Sequence, residues 1–241
     1  MKVCIDAGHG GKDSGAVGGG AKEKDIVLSI SMKLRDYLKT YGVEVYMTRE
    51  SDIYNSVTTK AKKGNDSKAD LFISIHCNSA TSQDANGVEV LVYKNTGDNK
   101  RAGESILNSI VDDLRLRNRG VKERPDLAVL RDTKMTAVLV ETGFISNAGD
   151  RAILLEKQDE FSKAIGDGVL RYFGIEVRKE NTVEKRYNTI EEVPSWAREK
   201  VKKLIDEGKF ADVNKLDLSY DMVRLIVILS WFRGVKAPLF Y

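Results

Sequence analysis

The sequence predicts an α/β fold with a mixed, largely parallel sheet flanked by helices, followed by a small α-helical C-terminal domain. Short apolar runs such as 70–75 alternate with amphipathic stretches such as 24–41, where apolar residues recur at spacings of three and four. Alternating strands and helices are typical of parallel sheets, because each crossover helix packs on a face of the sheet. After residue 176 the pattern changes, and only two further helices are expected.

The elements of the first domain follow in a regular order. A buried strand at 2–6 is followed by a glycine-rich loop at 8–20. Further strands are predicted at 43–48, 70–75, 87–93, 128–130 and 137–140, and helices at 24–41, 56–68 and 100–116, with a helical pair ending at Gly174. The solidly apolar run at 70–75 indicates a strand buried on both faces. Ligands of such sheets gather at the carboxyl ends of the strands, so functional residues are expected there.

Three segments are predicted: a catalytic domain at 1–176, a polar linker at 177–186 and a small helical domain at 187–241. In the last, a helix begins near Pro194 and a second occupies 219–232. The buried face expected for the first of these helices consists of Ala197, Val201, Leu204 and Ile205. Because two helices make only a small core, this domain is expected to pack on another surface or to self-associate.

The bulk composition excludes several classes of protein. A net charge of +3 over 241 residues is too small to indicate nucleic-acid binding. No apolar run approaches the ~18 residues of a membrane span, and the loop at 8–20 lacks the nucleotide-binding spacings. Two cysteines, Cys4 and Cys77, cannot form a disulfide framework. A first strand at Lys2 leaves no room for a signal peptide, so a cytoplasmic chain released by another factor is expected.

The only two histidines lie where an apolar run meets a loop. His9 follows the first strand and His76 follows the run at 70–75, while Glu23 lies between them in the chain. Glu141 closes the apolar run at 137–140. Two imidazoles and a carboxylate are a typical ligand set for catalytic zinc, and a further carboxylate is the usual base. The first hypothesis is a metal-dependent hydrolase.

The residues around this candidate site differ in how specific their signal is. Glu23 suits a solvated acid in the first turn of a helix, where the helix dipole favours negative charge. Glu141 is more informative, because an acid directly after four apolar residues is partly buried and needs a partner. Cys77 beside His76 suggests a thiol nucleophile, but neighbours on a strand point to opposite faces. Cys77 is therefore predicted to be a small apolar filler.

Four segments, at 6–16, 23–25, 69–78 and 140–147, resemble the zinc-dependent N-acetylmuramoyl-L-alanine amidases of the amidase-3 type, in the order of that family. The resemblance covers about residues 1–175. It implies one Zn²⁺ per catalytic domain, held by His9, Glu23 and His76, with Glu141 as the catalytic glutamate. It also implies peptidoglycan as substrate and hydrolysis of the amide between N-acetylmuramic acid and L-alanine.

The substrate groove is less well defined. Residues expected to contact substrate are Gly10, Gly11, Asn78 and Arg131. The sequence departs from the family at 59–66, where an arginine-and-asparagine helix motif is usual, and at Thr136, where proline is usual. Neither departure involves the metal ligands. The alternatives are a zinc-dependent wall peptidase or deacetylase, and a wall-binding protein without catalytic activity.

The C-terminal domain more loosely resembles S-layer-homology-like wall modules, through the segment 193–197 and the helix after it. This resemblance implies that 187–241 binds a wall polymer; the alternative is a helical hairpin that packs on the first domain or mediates dimerisation. Such a tail suits a phage or prophage endolysin released by a membrane-perforating partner. A sporulation or autolytic amidase, freed when the mother cell lyses, fits as well.

Overall fold

The computed structural model describes residues 1–178 and 186–231. The chain divides into two compact units, 1–177 and 178–241. Most of the predicted linker at 177–186 lies outside the described residues, as does Phe232 at the end of the second predicted tail helix.

The first unit contains eight strands: β1 Lys2–Ala7, β2 Val17–Gly18, β3 Ala21–Lys22, β4 Glu44–Met47, β5 Leu71–Asn78, β6 Val88–Val92, β7 Asn118–Glu123 and β8 Thr136–Phe144. Six of them form one sheet in the order β4-β1-β5-β8-β6-β7, while β2 and β3 form a short hairpin. Only the β6–β8 pair of the large sheet is antiparallel. The predicted mixed, largely parallel sheet is thereby confirmed.

The helices of this unit are α1 Glu23–Thr40, α2 Val57–Ser67, α3 Gly97–Leu114, α4 Ala128–Arg131, α5 Ala148–Glu156 and α6 Gln158–Tyr172. A large apolar core joins α1, α3 and α6 to the sheet. A smaller core, which includes Phe72, Val129 and Leu139, lies on the opposite face. The sheet is therefore covered on both faces, as the solidly apolar sequence of β5 indicates.

The alternation of β5 decides which face carries the site. Leu71, Ile73 and Ile75 belong to the large core, so Phe72, Ser74 and His76 point to the opposite face. The same alternation places Leu139 and Glu141 of β8 on that face. His76 and Glu141 therefore project from neighbouring strands on the side of the smaller core.

Some predicted elements were wrong or incomplete. The predicted strand at 128–130 is the short helix α4, because a three-residue apolar run carries no period that separates helix from strand. β7, with the sequence NRGVKE, was not predicted, because it is a polar, partly exposed edge strand. β5 and β8 also extend further than expected, so His76 and Glu141 lie within strands and not just beyond them.

The second unit contains α7 Ser195–Asp206 and α8 Tyr220–Trp231. Ala197 and Val201 of the expected α7 face are buried, whereas Leu204 and Ile205 are only partly buried. Across the described part of the chain, no helix combines the length and apolarity that a membrane span requires.

Candidate active site

His9 follows β1 in a left-handed backbone conformation, with φ of 57°. This region is unfavourable for a residue with a Cβ, so contacts of the side chain must hold it. Nδ1 of His9 lies 2.9 Å from Asp13 Oδ2. Because a carboxylate accepts, Nδ1 donates, so in the neutral imidazole Nε2 carries the lone pair. That lone pair faces Glu23 Oε1 at 3.1 Å.

Glu23 is the first residue of α1 and is 3% exposed. Its Oε2 accepts from the backbone N–H of Ala16 at 2.8 Å, and its Oε1 accepts from that of Cys77 at 3.0 Å. Burial opposes ionisation, but His76 and His9 outweigh it and hold the pKa of Glu23 well below its usual range. Glu23 is therefore a fixed, buried carboxylate and not the solvated acid of the simpler interpretation.

His76 completes the group. Its Nδ1 lies 2.9 Å from Glu23 Oε1, and the two imidazole rings are 4.9 Å apart at 78°. Position 8 requires glycine, because a Cβ on Gly8 would lie 2.6 Å from the imidazole ring of His76. In the same way, a Cβ on Gly15 would lie 2.5 Å from Glu23 Oε2. These two glycines let the ligand side chains pack closely against the loop.

The ligand atoms of His9, Glu23 and His76 all lie within 4.8 Å of one another. They come from three separate elements: the loop after β1, the start of α1, and β5. His9 Nε2 and Glu23 Oε1 are both electron-pair donors at close range, an arrangement that needs a proton or a cation between them. The chemistry of these donors fits a metal site, and within residues 1–178 and 186–231 no other such group is found.

Glu141 stands opposite His76 in the β5–β8 register. Its Oε2 is buried and accepts no hydrogen bond from any described residue. Burial raises the pKa of Glu141 to about 7, although His76 opposes this shift. An unpartnered carboxylate that titrates near neutral pH is suited to accept and return a proton beside the metal ligands.

Arg49, which the sequence interpretation missed, is among the largest fully buried side chains. It donates to four backbone carbonyls: Ala7 at 3.0 Å, Gly8 at 2.7 Å, Lys24 at 2.9 Å and Ser51 at 3.1 Å. The only signal in the sequence was a basic residue directly after the predicted strand at 43–48. The role of Arg49 depends on contacts with residues far away in the chain, and a basic residue after a strand does not reveal such contacts.

A buried ion pair lies beneath the loop of His9. Asp6 Oδ1 accepts from Thr48 Oγ1 at 2.5 Å, and Asp6 Oδ2 accepts from Ser74 Oγ at 2.7 Å. Lys60 Nζ lies 3.2 Å from Asp6 Oδ1 and donates to the carbonyl of Ala7 at 2.9 Å. Lys60 lies in the stretch 59–66, and its side chain fills a buried position.

The four residues expected to contact substrate have other partners in the structure. Gly10 packs against the chain itself, since a Cβ there would lie 2.2 Å from the carbonyl oxygen of Ile53. Gly11 N–H donates to Asp52 Oδ1 at 2.7 Å, and Asn78 Nδ2 donates to Glu89 Oε1 at 3.1 Å.

Arg131, the fourth, is exposed and pairs with Asp132 at 2.9 Å. The apolar side of a cleft beside His9 and His76 is lined by Tyr54, Val57, Leu127 and Val129.

Comparison with known proteins agrees with this geometry. Residues 3–171 match the family model described as N-acetylmuramoyl-L-alanine amidase. The endolysin of Bacillus phage SPP1 is 41% identical over 173 residues, which are 69% of this chain and 62% of that protein. The chain therefore spans about three fifths of the length of this relative. The germination-specific N-acetylmuramoyl-L-alanine amidase of Bacillus subtilis (strain 168) is 33% identical over 187 residues, covering 71% of this chain and 79% of that protein.

A solved structure shows the same fold. The crystal structure of N-acetylmuramoyl-L-alanine amidase from Clostridium difficile 630 superposes with a TM-score of 0.69 at 32% identity, covering 72% of this chain and 96% of that chain. The chain therefore belongs to the N-acetylmuramoyl-L-alanine amidase family.

Proposed function

We propose that this protein is a zinc-dependent N-acetylmuramoyl-L-alanine amidase that cleaves the amide between the lactyl group of N-acetylmuramic acid and L-alanine in peptidoglycan. The observation that carries the proposal is the placement of Glu141, with its unpartnered buried Oε2, beside the His9–Glu23–His76 group. Membership of the family supports the choice of substrate.

His9, Glu23 and His76 are the residues that would hold the metal. Two nitrogens and one carboxylate oxygen match the three-ligand sets of catalytic zinc, which leave one position open. When bound, zinc polarises the scissile carbonyl and lowers the pKa of a water molecule from ~16 towards ~7. Asp13 orients His9, because its contact with Nδ1 fixes the ring so that Nε2 is the nitrogen that faces Glu23.

Glu141 would move the protons of the reaction. Its carboxylate accepts a proton from the attacking water, whose oxygen becomes bonded to the lactyl carbonyl carbon. The C–N bond then breaks, and Glu141 returns the proton to the leaving amine of L-alanine. The products are a free lactyl carboxylate on the glycan and a peptide with a free α-amine.

Digestion of purified cell wall tests this reaction. Mass spectrometry should detect intact glycan strands together with free peptides that begin with L-alanine. Glu141→Gln should slow this release by about 10²- to 10⁴-fold while zinc content, measured by elemental analysis, stays near one per chain. His76→Ala should lose both zinc and activity.

The other outcomes identify the alternatives. Cleaved cross-links would indicate a wall peptidase, and free amines on the glycan would indicate a deacetylase. Zinc-loaded wild type that binds wall without releasing any product would indicate a binding protein. Wild-type lysis by Glu141→Gln would contradict the assigned base.

The second unit is proposed to bind a wall polymer. Trp196 and Tyr220 support this, since both are about half exposed and their rings are 6.1 Å apart. Full-length Glu141→Gln should sediment with cell walls, and adding Trp196→Ala should weaken this binding. If Trp196→Ala instead converts a dimer to a monomer in analytical ultracentrifugation, the unit mediates self-association.

The similarity to a phage endolysin supports a role in lysis at the cell wall. The genes beside this one distinguish that role from a sporulation or autolytic role. A small membrane protein encoded next to it would support an endolysin, because such a lysin needs a partner that perforates the membrane. Sporulation genes on both sides would contradict it.

A further inference from the structure

A row of ionisable side chains crosses the face of the sheet that carries Glu141. His76 on β5 is in register with Glu141 on β8, and Glu141 is in register with Glu89 on β6. Residues directly opposite each other on neighbouring strands project to one face, with Cβ atoms about 5 Å apart. Arg119 and Lys122 of β7 extend the row, because both contact Glu89.

Glu89 holds these two cations beside Glu141. Its Oε2 accepts from Arg119 Nε at 2.8 Å and from Lys122 Nζ at 2.5 Å. Arg119 is fixed further by a hydrogen bond to the carbonyl of Asn86 at 3.2 Å and by its position 4.8 Å from the ring centre of Phe144. The guanidinium is therefore held on three sides.

The charges of Glu89, Arg119 and Lys122 do not cancel. Burial opposes ionisation of Glu89, but Lys122 and Arg119 outweigh it and keep the pKa of Glu89 below its usual range. One carboxylate thus contacts two basic side chains, and this group of three residues has an excess positive charge. A guanidinium has five N–H donors and an ammonium three, so hydrogen bonds to Glu89 and Asn86 leave most of them available. The side chains of Arg119 and Lys122 are 24% and 43% exposed, so a ligand can reach them.

We propose that Arg119 and Lys122 form a subsite for a carboxylate of the substrate, on the peptide side of the scissile amide. This inference rests on the proposed amidase function. In the muramoyl-peptide the lactyl carboxyl group is consumed in the amide, and the sugars carry only hydroxyl and N-acetyl groups. The carboxylates of the substrate therefore belong to its peptide.

The distances favour the second residue of that peptide. It is a γ-linked D-glutamate whose α-carboxyl group is either free or amidated. Two residues of extended chain span at most about 7 Å, while neighbouring strands are about 4.8 Å apart. A peptide that leaves Glu141 in the direction of β6 and β7 thus brings this carboxylate to the cations that Glu89 holds.

Two matched substrates test the subsite. Disaccharide-peptide muropeptides that differ only in D-glutamate or D-isoglutamine at the second position carry a free carboxylate or a neutral amide there. We expect wild type to prefer the free acid by roughly tenfold in kcat/KM, as befits a charge-assisted hydrogen bond at a partly exposed site. The preference should appear mainly in KM, because the contact is made in the ground state as well as in the transition state.

Variants of the two cations complete the test. Lys122→Met and Arg119→Met should each reduce the preference, and the double variant should treat the two substrates alike. Arg124→Met is the matched control, since it removes a nearby cation that forms its own pair with Asp126, and it should keep the preference. Lys122→Met leaves Arg119 paired with Glu89, so it gives a result even if Arg119→Met does not fold.

The possible failures are distinct. Equal turnover of both substrates by wild type, or an undiminished preference in Lys122→Met, would overturn the subsite and leave the amidase function intact. Release of neither peptide by zinc-loaded wild type would overturn the proposed amidase function and the subsite with it.

Discussion

The guanidinium of Arg49 connects the backbone beside two candidate metal ligands, because its Nη2 donates to the carbonyls of both Gly8 and Lys24. Gly8 precedes His9, and Lys24 follows Glu23. A single buried side chain thus sets the spacing between the loop after β1 and the start of α1. The three-ligand group depends on this spacing, since Glu23 Oε1 faces both histidines.

Arg49→Met is expected to weaken zinc binding more than tenfold. It leaves the buried carbonyl of Gly8 without this donor, at a cost of about 1–3 kcal/mol, and removes the contact with the partly buried carbonyl of Lys24. Competition with a chromophoric chelator measures zinc affinity, and urea unfolding of the zinc-free protein measures stability. Arg49→Lys, which keeps the charge but not the fork of donors, should recover stability better than affinity. Equal zinc affinity in all three proteins would contradict this role.

Removal of zinc is expected to lower thermal stability as well as activity. A ligand that binds only the folded state stabilises it by about 4 kcal/mol at a thousandfold excess over Kd. For a protein of this size each kcal/mol corresponds to roughly 2–4 °C in Tm. Differential scanning fluorimetry with and without a chelator measures the shift, and added zinc should reverse it. His76→Ala is the control and should show little dependence of Tm on zinc.

The pH dependence of kcat/KM should have an acidic limb that depends on Glu141. A general base works only when deprotonated, so activity falls as pH decreases through its pKa. Burial raises the pKa of Glu141 to about 7, and a nearby bound cation lowers it. We therefore expect the limb at or below pH 7. Glu141→Gln should reduce kcat by about 10²- to 10⁴-fold, and its residual activity should lack this limb.

Asp6→Asn is expected to destabilise the first unit by about 3–5 kcal/mol at pH 7, because it leaves Lys60 buried without its counter-ion. Burial opposes ionisation of Asp6, but Lys60, Thr48 and Ser74 outweigh it and lower its pKa. The folded pKa is below the unfolded value of ~3.9, so this stability is present above pH 4 and is lost as pH falls through the folded pKa. The free energies of unfolding of wild type and Asp6→Asn, measured in urea, should therefore approach each other as the pH falls below about 4.

The matched control for this pair is Lys62→Met on the same helix. Lys62 pairs with Asp66 at 2.5 Å, but both side chains are more than 60% exposed. Exposed pairs contribute at most about 1 kcal/mol, so Lys62→Met should change the free energy of unfolding little. A decrease in the free energy of unfolding as large as that of Asp6→Asn would contradict the prediction that burial makes the Asp6–Lys60 pair important for stability.

Much of the fold could be predicted because it depends on local patterns. The periods of 24–41 and 56–68 match α1 and α2, and the apolar run at 70–75 matches most of β5. The strand β7 could not be predicted in this way. It is a polar edge strand whose pairing with β6, and not its own sequence, makes it a strand.

By itself the sequence determined the kind of chemistry: two histidines and an acid after apolar runs indicate a metal-dependent hydrolase, and the four motifs indicate the family. Only the tertiary structure decided which groups meet. The contacts of Glu23 with both histidines, of Arg49 with two ligand segments, and of Glu89 with Arg119 and Lys122 join residues far apart in the chain. Such contacts depend on strand register and on packing across the sheet, whereas sequence patterns report only the few residues on either side of a position.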